Sequence, residues 1–366
     1  MGTTDQIRSY LARTHAYAWF LKDDPAEPDL VHAILAEEMW PILQLILRAQ
    51  TATDTDVVVR GIFTHQTPYV KEAGKTNGCE LADLMLVRIH KPLGNPPTGK
   101  ALLIQAKKTT APKTGSLSGA GDAEQFSLYS QWNPFLGTSR LKANPPPPAQ
   151  PNENWTFRGP ALASDWESTS QYATVLAGHT FKIDDKFDPA TAPLMDGPDK
   201  SLKLAWPNQS PWSNGSVREI ATADNGVDCP HDFSQTLREF VEGGVGREFD
   251  PATPQGSDHW SIFVQEMLTI ATEKNYRYRK IQPRTQKAHV SAFSTVLGLV
   301  AEQQVVDYIN GDLNQRGFDF INESLDHIRR GGAPRQPPAE DSPGPPRGHV
   351  PIPLIVTYGE ALRFKD

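Results

Sequence analysis

Two stretches decide the fold: ELADLMLVRI, from Glu80 to Ile89, and KALLIQAK, from Lys100 to Lys107. Each reads as a β-strand, the first alternating in character and the second a short apolar run suited to a sheet interior. Pro92, Gly94, Asn95, Pro96, Pro97 and Gly99 form a turn-rich connection between them. Asp83 lies on the first strand, Gln105 and Lys107 on the second. Strand alternation puts Gln105 and Lys107 on one face. Polar groups on strands otherwise made of Leu, Met, Val, Ile and Ala fit poorly with a merely solvated face. The carboxylate of Asp83 and the carbonyl of Gln105 are hard oxygen donors, the kind that Mg²⁺ prefers. An ammonium at Lys107 can orient an attacking water or offset charge developing on phosphorus.

Upstream, residues 30–50 read as an amphipathic to fully apolar helix, opened by Asp29 as N-cap and kinked or divided at Pro41. Glu38 sits in its apolar stripe, four residues after Ile34 and four before Ile42. A carboxylate there is costly unless it is paired or binds metal. Glu37 is the neighbouring alternative, closer to the helix flank. DVVVRGIFT (Asp56–Thr64) is a β-branched strand. Downstream, AEQFSLYSQW (Ala123–Trp132) has a helical period, and YATVLAGHTFKI (Tyr172–Ile183) is the candidate fourth core strand.

This succession of helix, strand with Asp, strand with Gln-x-Lys, and helix resembles the PD-(D/E)xK, or restriction-endonuclease-like, nucleases. Gln105 in place of the acid is similar to Mrr-type restriction endonucleases and related bacterial defence nucleases. The resemblance covers residues 30–183. It implies an α/β fold with a core of helix, mixed central β-sheet and helix, and an endodeoxyribonuclease dependent on Mg²⁺ or Mn²⁺. Asp83, Gln105 and Glu38 would hold the metal, and Lys107 would complete the catalytic set. It also implies a role for Gln125 beside the site, and restriction or anti-phage defence as the setting. Gln105 departs from the pattern by removing one negative charge from the metal site. Glu80, three residues before Asp83, falls on the opposite face unless the strand starts later.

The remainder is organised by its prolines. There are 32, clustered at 145–151 and 331–353, where polyproline II and exposed loops are expected. The expected organisation is a nuclease core at 1–185, an irregular insertion or linker at 186–230, a mainly helical region at 231–330, a proline-rich loop at 331–351, and a final strand and tail at 352–366. In the helical region the helices are expected over 232–242, 259–274, 287–299 and 300–308. IPLIVTY (Ile352–Tyr358) reads as a late strand that could return to the first sheet. Arg277, Arg279 and Lys280, interleaved with Tyr276 and Tyr278, are candidate nucleic-acid contacts, as are Lys108 and Gln125.

A net charge of −7 argues against a simple basic nucleic-acid-binding domain, though a local basic track can sit on an acidic body. Two cysteines, Cys79 and Cys229, are too few for a disulfide framework and suit a reducing cytoplasm. Cys229 and His231 have no matching second pair, so a zinc site is weakly supported. His65 reads as an exposed strand-end residue, and the tryptophans as packing residues. No apolar run approaches the roughly 18 residues of a membrane span. DNA is the expected substrate, with RNA open on chemistry alone. A regulatory protein or a second copy of the chain is an expected partner. The competing reading is a non-catalytic binding or assembly module that keeps the nuclease shape.

Overall fold

In a computed structural model of the chain, the described residues are 2–22, 24–35, 39, 42–44, 46–47, 56–62, 68–92, 95–111, 113–119, 121–139, 141–146, 149, 152–158, 168–178, 210–216, 226–251, 258–272 and 352–358. At the centre, β4 (Leu84–Lys91) and β5 (Thr98–Thr109) pair antiparallel, from Leu84 opposite Ile104 to His90 opposite Thr98. β8 (Ser170–Leu176) runs parallel to the C-terminal half of β5, and β12 (Arg247–Phe249) runs antiparallel to its start. On the other side of β4 lies β13 (Ile352–Tyr358), parallel to it, with β1 (Asp56–Ile62) antiparallel beyond. β9 (Trp212–Ser216) and β11 (His231–Asp232) extend the far side, giving a mixed eight-stranded sheet.

The central strands are apolar along their length because both faces are covered. Leu84 and Leu86 join Leu102, Ile104 and Ala106 in one core. Met85, Val87 and Ile89 join Ala101 and Leu103 in the other. The first core is closed by α1 (Thr3–Leu21), α2 (Glu27–Ile34) and, later in the chain, α4 (Phe233–Glu242). The second is closed by α3 (Asp122–Gln131) and α5 (His259–Thr272), with a small sheet of β2 (Tyr69–Glu72), β3 (Cys79–Glu80) and β7 (Phe135–Ser139) at its flank. Phe157 packs 4.8 Å from Trp132, the residue that caps the C-terminus of α3, and 5.0 Å from Trp260 of α5, fastening the two helices together. Such ring pairs add about 1 kcal/mol each beyond the area they bury. β6 (Thr114–Ser116) pairs with β10 (Gly226–Asp228) as a separate ribbon after β5.

The molecule is thus a mixed α/β fold with helices on both faces of a mixed sheet. The final strand does return to the first sheet. Helices are found where expected over 233–242 and 259–272, while residues 287–308 lie outside the described ones. Three differences have physical causes. α1 was not anticipated. The helix expected from Leu30 starts earlier, at Glu27, with Pro28 in its first turn. Asp29 is therefore not its N-cap: it is the third helical residue, and its Oδ2 accepts the Ala26 N–H at 2.7 Å. Finally, 186–230 is not irregular throughout, since β9 joins β8 in the main sheet and β10 pairs with β6. Among the described residues no helix is long and apolar enough to cross a membrane.

Candidate active site

β3 ends at Glu80 and β4 begins at Leu84, so Leu81, Ala82 and Asp83 belong to neither strand. They carry the chain into the end of the β4–β5 ladder, where the Asp83 N–H donates to the Ile104 carbonyl at 3.0 Å. The Asp83 side chain is buried, and its Oδ2 accepts the Ala106 N–H at 2.8 Å. Ala106 itself points into the first core, so Gln105 and Lys107 leave β5 on the opposite face, toward α3. The sequence placed these groups together, and the fold brings them to one end of the sheet.

α3 braces that end. Gln125 donates from Nε2 to the side-chain carbonyl of Gln105 and to the Glu80 carbonyl, the latter at 2.8 Å. One turn later, Tyr129 donates to the Leu81 carbonyl at 2.6 Å. Gln125 is 3% exposed. It is a brace for Gln105 and the β3–β4 turn, not the nucleic-acid contact expected of it.

Asp122, on the first turn of α3, receives Lys107. The lysine Nζ donates to Asp122 Oδ1 at 2.8 Å, and the Gly119 N–H donates to Asp122 Oδ2 at 2.7 Å. Both side chains are largely buried. The loop between β5 and α3 folds closely over this pair: a Cβ on Gly115 would sit 3.3 Å from Lys107 Cβ and 3.2 Å from Thr174 Cγ2. Across the site, Glu27 at the start of α2 accepts the Lys108 N–H on Oε2 at 2.7 Å. Lys108 extends outward to the exposed Asp24, 2.6 Å away, and remains at the rim.

These charges act on one another. Burial pushes the Asp83 carboxyl well above its ordinary range, and the charges of Glu27 and Glu80 push it further. Lys107 and the Ala106 N–H oppose that shift. Burial likewise raises Glu27, against the pull of Lys107 and with a further push from Asp122. Burial on its own would lower the Lys107 pKa, but Glu27, Asp122 and Asp83 together outweigh it and the value is raised. Lys107 is therefore an ammonium at neutral pH, a hydrogen-bond donor and a fixed positive charge.

Glu27 was missed because the helix was read from Asp29 onward, which left Glu27 in the preceding linker. The sequence Glu27-Pro28-Asp29 carried the signal: proline in a first turn with acids on either side is a helix start. Glu37, Glu38, His65, Arg277, Arg279 and Lys280 lie outside the described residues. Cys229 and His231 do not converge: Cys229 is buried with its thiol toward the Tyr172 carbonyl, and His231 is exposed.

In chemistry the donors suit a hard cation: the carboxylates of Asp83 and Glu27 and the side-chain carbonyl of Gln105. Among the described residues no three His, Cys, Asp or Glu side chains gather closely enough to hold an ion. Mg²⁺ is commonly held by one or two carboxylates with waters and substrate oxygens completing its shell, and these three side chains are the ones whose chemistry would suit that role. Searches against protein-family models, curated proteins and solved structures give no match to this chain.

Proposed function

We propose that this protein is a metal-dependent phosphodiesterase acting on DNA, built on a restriction-endonuclease-like core. The observation that carries the reading is the meeting of Asp83, Gln105 and Lys107 at one end of the β4–β5 pair, with Lys107 held by Asp122. Asp83 and Glu27, with the Gln105 carbonyl, would hold Mg²⁺ or Mn²⁺. When bound, that ion supplies Lewis-acid polarisation of a phosphoryl oxygen and a more acidic water.

The chain's own residues do the rest. Lys107, already protonated, donates a hydrogen bond and offsets negative charge on the phosphoryl group as it builds. It does not act as a base. Gln125 fixes the amide of Gln105 so that its orientation is set before substrate arrives. The charges of Glu27 and Glu80 weigh on the buried Asp83, and an added cation would relieve that. A setting in bacterial restriction or anti-phage defence, in the cytoplasm, follows from the likeness of the Gln-x-Lys strand to defence nucleases.

The test is cleavage of supercoiled plasmid, linear duplex, single-stranded DNA and RNA with Mg²⁺ or Mn²⁺, beside EDTA and Lys107→Ala controls. Metal-dependent cutting of DNA that disappears in Lys107→Ala is the expected result. Equal behaviour of wild type and variant on every substrate would sink the enzyme reading and leave a binding module of nuclease shape.

A further inference from the structure

The β2–β3 hairpin carries the one large apolar side chain that is exposed among the described residues, Tyr69, 41% accessible. An exposed ring is ordinarily mobile, but this one is held. Its hydroxyl donates to the Gly78 carbonyl across the hairpin at 2.9 Å. The ring also lies against Gly78, where a Cβ would come within 3.0 Å of Tyr69 Cε1 and 2.5 Å of the Val70 carbonyl oxygen. Glycine at 78 thus allows the ring to sit over the backbone. The strand beneath is fixed as well, because Thr138 of β7 donates to the Tyr69 carbonyl at 2.8 Å.

The position of this ring matters more than its exposure. Tyr69 pairs directly with Glu80, so both side chains leave the ribbon on the same side. Glu80 is the last residue of β3 before the turn that delivers Asp83, and its backbone carbonyl is held by Gln125. Burial raises the pKa of both Tyr69 and Asp83, and the Glu80 carboxylate adds to each, so ring and site lie to either side of one charged group. Lys71, two residues along β2, shares the outer face of Tyr69, and Lys75 is exposed in the hairpin turn. Asn77 ties the turn to α3 by donating to Glu124 at 3.2 Å. A held aromatic ring is a surface on which a nucleobase can stack, and Lys71 and Lys75 on the same hairpin are available to its phosphates, while Glu80 on the same face and Glu124 nearby set a negative charge against them.

We propose that Tyr69 is a stacking platform for an unpaired nucleobase beside the cleavage site, so that the preferred substrate is DNA with single-stranded character. This rests on the nuclease reading above and narrows it. Bases inside a duplex are already stacked on their neighbours and offer no free face, whereas an unpaired base gains a partner here. Lys71 and Lys75 would meet the adjoining phosphates, and the absence of a side chain at Gly78 leaves the room the ring edge occupies.

The test is binding without cleavage. Fluorescence anisotropy of a labelled oligonucleotide, single-stranded or annealed to its complement, is followed in EDTA with full-length wild type, Tyr69→Ala and Tyr69→Phe. Wild type should bind the single strand more tightly than the duplex. Tyr69→Ala should weaken single-strand binding by about tenfold while leaving duplex binding unchanged. Tyr69→Phe, which keeps the ring and loses the hydroxyl, should stay close to wild type. The proposal fails if Tyr69→Ala matches wild type, if it loses both ligands equally, or if Tyr69→Phe is as weak as Tyr69→Ala. Wild type that binds neither DNA overturns the nuclease reading and this inference together. Wild type that binds DNA without any effect of Tyr69 overturns the inference alone.

Discussion

At the far end of the β4–β5 pair, Arg88 and His90 are buried on the face that meets α4. Arg88 donates from Nε to the Val241 carbonyl at 2.7 Å, and His90 shares a hydrogen bond with the Thr357 hydroxyl at 2.8 Å. Burial lowers the Arg88 pKa to about 10, and burial together with Arg88 lowers His90. At the near end, Asp83, Glu27, Glu80, Lys107 and Asp122 crowd one another. Both ends bury charge. At the far end a cation meets a carbonyl at the C-terminus of α4, where a helix favours positive charge. At the near end burial raises Asp83 and Glu27, and neighbouring carboxylates add to it, Glu27 and Glu80 on Asp83 and Asp122 on Glu27, an arrangement a fold has no structural need to keep. Buried charge that satisfies a helix end reads as architecture, and buried charge that repels its neighbours reads as a site.

The comparison yields variants that should separate the two ends. Lys107→Ala should reduce cleavage by about a hundredfold or more. The loss should appear in kcat, measured on protein shown to be folded by circular dichroism. Arg88→Met should do the opposite, lowering stability by about 2 kcal/mol in denaturant melts while cleavage per folded molecule stays unchanged. A loss of catalysis in Arg88→Met without loss of stability would erase the distinction between the ends. Asp122→Asn addresses positioning. It should lower kcat by about tenfold with KM unchanged, because Lys107 loses its charged anchor while substrate contacts remain. Asp122→Glu should recover part of that loss, and a change confined to KM would remove Asp122 from its positioning role.

The smallest effect is in stability against pH. Asp83 and Glu27 have raised values in the folded state, so the folded protein holds their protons more firmly than the unfolded chain. Their contribution is fully present below the ordinary carboxylate range and is lost as pH rises through the raised values. Mn²⁺ should take over the proton's role, raising Tm by about 2–4 °C at mildly alkaline pH and little at mildly acidic pH. Asp83→Asn should flatten both the pH slope and the Mn²⁺ shift. An Mn²⁺ shift equally large in Asp83→Asn would place the ion elsewhere.

Much of the near end was legible in the sequence because its logic is local. Gln105 and Lys107 lie on a strand whose period is two, Asp83 sits one residue before the strand paired with it, and a hairpin connection sets the register of the two strands. Gln125 was found for its position but not for its role, since a buried amide bracing another amide leaves no mark on the sequence. Glu27 and Asp122 were harder. Both act from helix first turns, and helix boundaries are the least certain part of a sequence reading. α1 was missed although Ile7, Tyr10, Leu11, Thr14, Tyr17 and Ala18, all buried, fall at helical spacing. Its central Arg13, Thr14 and His15 blur the apolar stripe, yet all three are buried in the structure. β9 was hidden for a related reason: WSNGS is polar and glycine-bearing, and its place in the sheet comes from its pairing with β8 rather than from propensity.

The place of β13 has a consequence for how the protein comes into being. The first strand of the large sheet touches that sheet through the last: β1 pairs with β13, and β13 pairs with β4. More than 250 residues separate Ile89 from its partner Val356. A chain emerging from the ribosome can assemble the β4–β5 hairpin early, but the sheet stays open beside β4 until residues 352–358 have been synthesised. Contacts so distant in sequence make for slow closure. On the proposed reading as a nuclease, that order of events would work as a safeguard, because a partly translated chain has an unfinished framework around its site.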